Sequence, residues 1–586
     1  MTKRFFASFI GNLWKPILLM LLYSVFIMLL VFPFARLIIS GDKDVILAKY
    51  SDVSGTLWYN WWFNFAQANN LNLFYTDYLC FPKGISVWLI SGNLLIIFIF
   101  LPLYKLFGIA QGYNITAFLI LLANCIAGFL LALRITEKKP AAFIGGLLFG
   151  INPYTLFELI NGRMEQLAIF WIALFYWALL KMRASPKLGN VFLSAFFFAC
   201  TFLSLWHYGI ILLFALMLWM TGAVLRKDYA HFRVCVFMTV LGCAAFLPYG
   251  LGFSALMASQ YDFSFTDLDF YGKYVDFFKI MTAASTVKPI SYLPGYFSAV
   301  LSLITLGICA IIAIINRKIR YGAYWAVMGF LAVIFSMGPV YEVYSQGNLI
   351  TYHLPFYYFV KYVPFMGRFF WPWRFLALFY LSASVIIASG ISRISEIRAY
   401  AGRVLLVAVV ALIMFLEFFL YIYPKWPSLN MPYKIPSIYY ELAKLPDGAV
   451  LELPFSQSNY YVYYQAIHHK KLMNSMISGT NELNPSPVRD YYLRFDLSKH
   501  GYFMRNAVDV EFLRKSGLRY VVFNENEALR LLYGDRMLVG RIKDNLDALL
   551  GSPIITIPSE NMSLYILRDF QESSGNGGGN IKPEQI

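Results

Sequence analysis

The sequence is poor in charge. Of its 586 residues only 14% are Asp, Glu, Lys or Arg, and just 32 are acidic. Soluble domains carry about a quarter charged residues, so a water-soluble globular protein of this length is excluded. Histidine and cysteine are also scarce, with six of each. Cys125, Cys200, Cys235, Cys243 and Cys309 fall in apolar stretches, where cysteine behaves as a small hydrophobe, and Cys80 stands alone in a polar one. No CxxC or Cys/His spacing occurs, which excludes a disulfide framework and the usual thiolate metal sites. No internal repeat is present either.

What is there is hydrophobicity. Apolar residues make up 59% of the chain and aromatics 19%, and the mean hydropathy is +0.60. Such a chain reads as a polytopic α-helical membrane protein. Apolar segments of spanning length lie at 14–39, 113–133, 141–160, 166–182, 190–206, 208–225, 234–252, 295–316, 321–340, 372–392 and 404–423, and 87–108 makes a twelfth. The start, MTKRFFASFIGNLWKP, is basic and then apolar, but its apolar run is too long for a signal peptide. It reads as a retained first helix.

The net charge of +16 raises the question of nucleic acid. The positions of the basic residues answer it. Arg134, Lys138 and Lys139 share one connector. Alternate connectors then carry Lys181, Arg183 and Lys187; Arg226, Lys227 and Arg233; Arg317, Lys318 and Arg320; and Arg393, Arg398 and Arg403. The N-terminus adds Lys3, Arg4 and Lys15. By the positive-inside rule these regions are cytoplasmic. The charge is an orientation signal, and no nucleic-acid partner is expected.

The parity works only if 87–108 does not cross. It is expected to lie in the interface or re-enter, broken by Pro102 and Gly108. About eleven spans result, with a cytoplasmic N-terminus, a long first extracytoplasmic loop at 40–112, and an extracytoplasmic C-terminus. Residues 1–423 then form the membrane domain. Residues 424–570 read as a soluble extracytoplasmic α/β domain, with strands at 450–455, 518–524, 552–558 and 562–568. EFLRKSG and NLDALLGS look like helix ends closed by glycine. Residues 571–586 are linker-like and expected to be disordered.

Candidate chemistry gathers on the extracytoplasmic side. SDVSGTLWYNWWFNFAQANN begins with a capping residue at Ser51 or Asp52, then puts Trp58, Trp61 and Trp62 on one helical side. That helix is expected to lie flat at the head-group level, with Asp52 at its N-terminal end. The carboxylate there either meets a lipid head group or simply caps an anchor helix. Asp42 and Asp44 form a DxD pair that could hold Mg²⁺ or Mn²⁺ against a phosphate. As a lone three-residue match, a solvated turn is the preferred reading.

NGRMEQ brings Arg163 and Glu165 to a connector on the same side, where charges face a cavity or each other. His207 sits at the tip of a tight hairpin there. Arg368 and Arg374 flank the aromatic GRFFWPWRF, and arginine can fork two bonds onto a phosphate. Interfacial snorkelling is the plainer account of both. Together a carboxylate suits a general base for an acceptor hydroxyl, and the arginines suit a phosphate leaving group.

The chain resembles the GT-C superfamily of membrane glycosyltransferases, and more closely a bacterial GT-C-like multi-span group with a C-terminal soluble domain. The likeness rests on SDVSGTLWYNWWF, FPKG (81–84), GYNI (112–115), AAFIGGLLFGINPY (141–154), NGRMEQ (161–166), GRFFWPWRF (367–375), and LELP with HHKKLMNS (451–475). It covers most of the chain to about residue 570, and the order of the motifs weighs more than any one of them.

The resemblance implies a glycosyltransferase that uses a polyprenyl-phosphate-linked sugar donor and a glycan, lipid or protein acceptor, in a bacterial inner membrane. It implies Asp52 as the catalytic acid/base and Arg368 or Arg374 at the lipid phosphate. Arg163, Glu165, His207, Trp58 and Trp62 are the further candidate substrate contacts. The chain has Gly162-Arg163 where that group usually has Gly-His, which weakens any transfer of a histidine role. Trp61-Trp62 is followed by Phe63, so the Trp-Trp-Asp motif of oligosaccharyltransferases is absent. A flippase of lipid-linked glycans and a non-catalytic assembly protein are the alternatives. A flippase is expected to show intramembrane charges and broken helices.

Overall fold

The computed structural model describes residues 2–31, 36–37, 39–40, 45–48, 52–82, 84–87, 94–260, 319, 321–345, 348–363, 372–394, 430–432, 435–454, 460–473 and 514–567. Helices dominate, because a chain in lipid must satisfy its backbone groups internally. In order they begin with α1 (Thr2–Leu30), strand β1 (Val45–Leu47), α2 (Asp52–Ala68), β2 (Tyr75–Thr76), β3 (Ile85–Ser86) and α3 (Leu94–Phe107). Then come α4 (Ile109–Thr136), α5 (Lys139–Gly150), α6 (Pro153–Asn161), α7 (Met164–Leu167), α8 (Phe170–Ala184), α9 (Leu188–Ser204), α10 (Trp206–Leu225) and α11 (Tyr229–Gln260). After them follow α12 (Gly322–Ser336), a hairpin of β4 (Val340–Ser345) and β5 (Asn348–His353), α13 (Pro355–Tyr362), a 3-10 turn at Pro372–Phe375, and α14 (Leu376–Ile394).

Six described helical segments are long and apolar enough to cross a bilayer: Ile109–Thr136, Lys139–Asn161, Met164–Ala184, Trp206–Leu225, Tyr229–Gly252 and Pro372–Arg393. Lys15–Leu30, Leu94–Phe107, Leu188–Ser204 and Gly322–Ser336 are apolar but shorter. The expected spans at 295–316 and 404–423 lie outside the described residues.

Two expectations need correction. Pro102 does not break the segment before α4, because it is accommodated inside α3. Gly108, with φ 74°, is what separates α3 from α4. At 1.5 Å per residue the 14-residue α3 is about 21 Å long, shorter than a hydrocarbon core of about 30 Å. Second, the span expected at 141–160 is present as the candidate span Lys139–Asn161 but is not one continuous helix. It breaks at Ile151–Asn152 into α5 and α6.

The helices α4, α5 and α14 meet through small side chains, with Ala132, Ala142 and Ala388 forming a buried cluster. This is the usual solution in lipid, where apolar side chains gain little from meeting each other and close packing must do the work. Gly146 shows how close the approach is. A Cβ there would sit 2.2 Å from the Tyr23 hydroxyl and 2.5 Å from the Cys125 carbonyl. Tyr23 also donates to the Phe143 carbonyl at 3.0 Å, tying α1 to α5.

By contacts the chain forms two compact units, one of Met1–Asn60 and Trp88–Lys434, the other of Trp61–Val87 and Ile435–Ile586. The first unit carries the helices above, with α2 only as far as Asn60, and the pairing of β1 with β6 (Asn430–Pro432). The second is an α/β unit. Its elements are α15 (Ser437–Lys444), β7 (Ala449–Leu453), α16 (Tyr460–His468), β8 (Leu518–Asn524), α17 (Glu525–Leu531), α18 (Arg536–Leu550), β9 (Ile555–Ile557) and β10 (Met562–Ile566).

The sheet order is β7-β8-β10-β9, parallel between β7 and β8 and antiparallel elsewhere. Leu451, Val521, Phe523 and Tyr565 from the sheet pack with Val539, Ile542 and Leu546 of α18. Gly551 closes that helix at φ 81°. The unit also takes in part of the first long loop. Leu472 N donates to Tyr78 O at 2.9 Å, and Phe81 N donates to Leu472 O at 3.0 Å. The tail 571–586 lies outside the described residues.

The helix interface sets one prediction. Gly146→Val forces overpacking against backbone and should cost about 1–3 kcal/mol. It is read as a lower melting temperature in detergent, while Gly189→Ala, with nothing within 4 Å, leaves melting unchanged.

Two buried groups in the α/β unit set another. Glu452 accepts from the Tyr439 hydroxyl at 3.0 Å, and burial pushes its carboxyl from the ordinary 4.5 up to about 8. Burial, then Lys470, pushes His468 from 6.5 down to about 3. An acid held above its unfolded value loses stability as pH rises through that window. A base held below its unfolded value loses stability as pH falls. The two slopes cancel between about 4.5 and 6.5. Pulse proteolysis reading peptides of β7 and β8 should show a plateau there and weaker protection on either side. Glu452→Gln should abolish the alkaline fall.

Candidate active site

The site begins with a local sequence signal. Asn152 caps α6 by accepting from Thr155 N at 3.1 Å, and the Thr155 hydroxyl accepts from Asn152 N at 3.0 Å. This reciprocal pair, with Pro153 in the first turn, starts a helix in the middle of an apolar segment. The helix ends at Gly162, φ 77°, with Arg163 N donating to Glu158 O at 3.0 Å and Gly162 N to Leu159 O at 3.1 Å. That is the Schellman arrangement, which needs a left-handed residue at this point. The short α7 follows, and the chain breaks again at Ala168–Ile169 before α8.

The two breaks turn polar side chains into the bundle. Glu158 is completely buried. Its Oε1 accepts from Trp373 Nε1 at 3.0 Å, and its Oε2 lies 3.5 Å from Arg163 Nη1. The Arg163 guanidinium carbon lies 5.8 Å from the Trp373 ring centre and 6.0 Å from that of Phe157. Arg374 is 5% exposed, and its Nε donates to Gln166 Oε1 at 3.1 Å. Its Nη1 is buried with no hydrogen-bond partner among the described residues. The Gln166 carbonyl accepts from the Tyr208 hydroxyl at 2.5 Å, and Tyr208 and Tyr154 share a hydrogen bond between hydroxyls. Two arginines and a carboxylate are thus assembled from three places in the sequence. Paired buried charges are tolerated where each finds polar partners.

The turn at Gly162 also receives the start of α2. A Cβ on Gly162 would lie 2.7 Å from Val53 Cβ and 2.9 Å from Val53 N. Thr56 donates to the Gly162 carbonyl at 3.3 Å. The main chain of Asp52, first residue of α2 and neighbour of Val53, is therefore beside this turn. The segment before it is fixed too: Asn114, fully buried, accepts from Leu47 N and donates to Val45 O, both at 3.1 Å. Glu165 is half-buried. Burial, then the Glu165 charge, holds the Tyr59 phenol well above its ordinary value.

Of the residues singled out in the sequence, Arg163 and Arg374 join one polar network, and Glu165 and the Asp52 backbone lie along its turn. His207 stacks on Trp206 with ring centres 3.6 Å apart, next to Tyr208. Asp42, Asp44 and Arg368 lie outside the described residues, as does the Asp52 side chain.

The tryptophans depart from expectation. They do not lie at a lipid surface: Trp58 and Trp62 are 0% and 1% exposed and Trp61 is 8%. Trp58 meets Tyr59 edge-on in the first unit. In the second, Trp62 donates to the Leu73 carbonyl at 3.2 Å and packs against Tyr78. A 17-residue helix with this much aromatic surface gains more from protein packing than from the head-group layer.

Sequence reasoning missed Glu158, Gln166, Trp373, Tyr154 and Tyr208. Glu158 had a visible signal, as the one acidic residue between Glu137 and Glu165. An ionisable residue inside a span marks a functional site by default. Among the described residues no group of three or more His, Cys, Asp or Glu could hold a metal.

No family model matches the sequence, and no curated protein is similar to it by sequence. Solved structures do match. The oligosaccharyltransferase of Archaeoglobus fulgidus in its apo form is similar at a TM-score of 0.54 and 12% identity, over 89% of this chain and 72% of that one. ArnT of Cupriavidus metallidurans, bound to undecaprenyl phosphate, is similar at a TM-score of 0.51 and 11% identity, over 94% and 100%. The arabinofuranosyltransferase AftD from mycobacteria is similar at a TM-score of 0.56 and 14% identity, over 85% of this chain and 35% of that one. This chain therefore spans about a third of AftD's length. At these identities the likeness is one of architecture: the chain is an integral membrane protein with the fold of the GT-C glycosyltransferases.

Proposed function

We propose that the chain is a glycosyltransferase that moves a sugar from a polyprenyl-phosphate donor to an acceptor hydroxyl on the extracytoplasmic side. The observation that carries this is Arg374, a buried cation with an open donor, held beside the turn that α2 packs against, in a GT-C fold. A buried guanidinium with an unfilled donor suits an anionic oxygen. ArnT, one of the similar structures, holds undecaprenyl phosphate.

The step is a single displacement. The acceptor oxygen forms a bond to the anomeric carbon as the bond from that carbon to the phosphate oxygen breaks. The hydroxyl proton passes to Asp52, and the electron pair leaves with the lipid phosphate. Attack from the face opposite the leaving group inverts the anomeric centre. Arg374 stabilises the growing phosphate charge, and Gln166 fixes the direction of its guanidinium. Arg368 would add a second cation to the same phosphate. Trp58 and Trp62 are buried, so any role of theirs in binding is through shaping α2. Asp42 and Asp44 would be the residues to hold Mg²⁺ or Mn²⁺, and the step above uses only the chain's own groups.

A second reading has one observation in its favour. The break at Ile151–Asn152 lies about 18 Å along α5 from Lys139, near the middle of a bilayer, and Glu158 follows it. Broken helices and intramembrane charge are what a transporter of lipid-linked glycans would show.

Purified protein given polyprenyl-phosphate sugars separates the two. Asp52→Asn should lower turnover at least about 100-fold, with melting unchanged. Full glycosyl transfer by that variant, or lipid-linked sugar crossing the bilayer without transfer, would overturn the enzyme reading. Arg374→Lys keeps the charge but loses the fork, and should raise the donor KM roughly tenfold. Glu158→Ala leaves Arg163 and Trp373 without their carboxylate and should cost about 3–5 kcal/mol in stability, seen in detergent melting.

A further inference from the structure

We infer that α13 (Pro355–Tyr362) is an interfacial helix that docks onto the head-group layer of the bilayer. Its inner face is fixed by packing. Phe356 and Phe359 are buried. Phe359 meets Phe214 of α10 with ring centres 4.7 Å apart and Phe335 of α12 at 5.7 Å. Both Phe356 and Phe359 lie 6.4 Å from Phe375, at the end of the 3-10 turn that carries Arg374. The outer face is Tyr358, Lys361 and Tyr362, at i, i+3 and i+4. Tyr358 is 50% and Tyr362 69% exposed, and their rings stack nearly parallel, 10° apart. The Lys361 ammonium lies 5.6 Å and 5.5 Å from the centres of Tyr357 and Tyr362.

Depth identifies what covers this face. Phe214 is eight residues into the candidate span Trp206–Leu225, so about 12 Å from its end. Phe335 is next to the last residue of α12, and Phe375 is three residues into the candidate span Pro372–Arg393. Phe335 and Phe375 mark one edge of the hydrocarbon and Phe214 lies deeper, so a helix braced on all three sits at that edge with its inner face turned into the bundle, not out in water. Tyrosine with lysine is the composition that suits that layer: ring in the acyl boundary, hydroxyl and ammonium among the phosphates. The segment PFYYFVKY carries no acidic residue to oppose lipid phosphate. Docked in this way, α13 would hold Phe375, and so Arg374, at a fixed depth below the head groups.

The test uses nitroxide labels on single cysteines in the full chain, placed in phospholipid nanodiscs. Accessibility is compared between oxygen, which concentrates in lipid, and a water-soluble nickel chelate. Tyr362→Cys is the probe. Phe237→Cys, on a candidate span and 51% exposed, reports lipid, and Tyr533→Cys, fully exposed on the α/β unit, reports water. The label at 362 should show an oxygen-to-nickel ratio several-fold above that at 533 and below that at 237. A ratio equal to that at 533 places the helix in water and overturns the proposal. Protection from both quenchers would mean that protein, such as a second copy of the chain, covers the face, and overturns it too.

Discussion

A carboxylate with no exposed surface must be paired, and Glu158 is such a group. Both partners follow it in sequence, one near and one remote: Arg163 is five residues on, and Trp373 is 215 residues on. Breaking the set would strand a charge in an apolar bundle, so the turn Asn161–Arg163 and the 3-10 turn Pro372–Phe375 are held as one piece. Arg374 follows Trp373 directly. Its position is therefore a consequence of how Glu158 is satisfied, and Gln166 then sets its direction. The same turn, through the missing Cβ of Gly162, admits the start of α2 and brings the Asp52 backbone alongside. One electrostatic requirement thus gathers residues 158, 163, 166, 373 and 374, and the close approach at Gly162 adds the backbone of residue 52.

Much of the membrane architecture was legible because hydrophobic length is a strong signal. The helices at 109–136, 206–225 and 229–260 fall where apolar runs placed them, and the four strands of the α/β unit match four short β-branched or aromatic runs. What was not legible came from tertiary packing. The tryptophans of α2 have the spacing of an interfacial anchor, yet they are buried, because a helix face cannot announce from sequence whether lipid or protein covers it. The helix break at Asn152 was written in GINPYT as a cap followed by proline, but a hydropathy window averages over it. The network around Glu158 needed residues more than two hundred positions apart, which no local pattern reports.

The broken segment bears on how enzyme and transporter are told apart. Helix breaks inside a membrane free backbone groups that must be met by caps, and here they are: Thr155, Asn152 and the Gly162 turn satisfy the ends of α6 within the protein. A transporter uses such ends to hold cargo near the midplane. In this chain the ends of α6 are consumed locally, while Arg374, at the end of a candidate span, keeps a buried Nη1 with no hydrogen-bond partner among the described residues. Under the proposed function this donor would serve an anion near one membrane face, which is where a lipid phosphate resides.

The residue at position 163 carries a last consequence. A histidine after Gly162 would titrate near neutral pH, and its charge toward Glu158 would come and go. Arginine stays charged at any pH the cell meets, and here its guanidinium carbon lies 6.0 Å from the Phe157 ring centre and 5.8 Å from that of Trp373. The ion pair that organises the site is then indifferent to moderate pH on its basic side. Under the proposed mechanism one limb of the pH profile comes from Asp52: activity requires its ionised form, so it falls as pH drops toward the carboxylate range. Arg163→His would add a second, neutral-range limb to that profile, the mark of a pair that now titrates in step with the solvent.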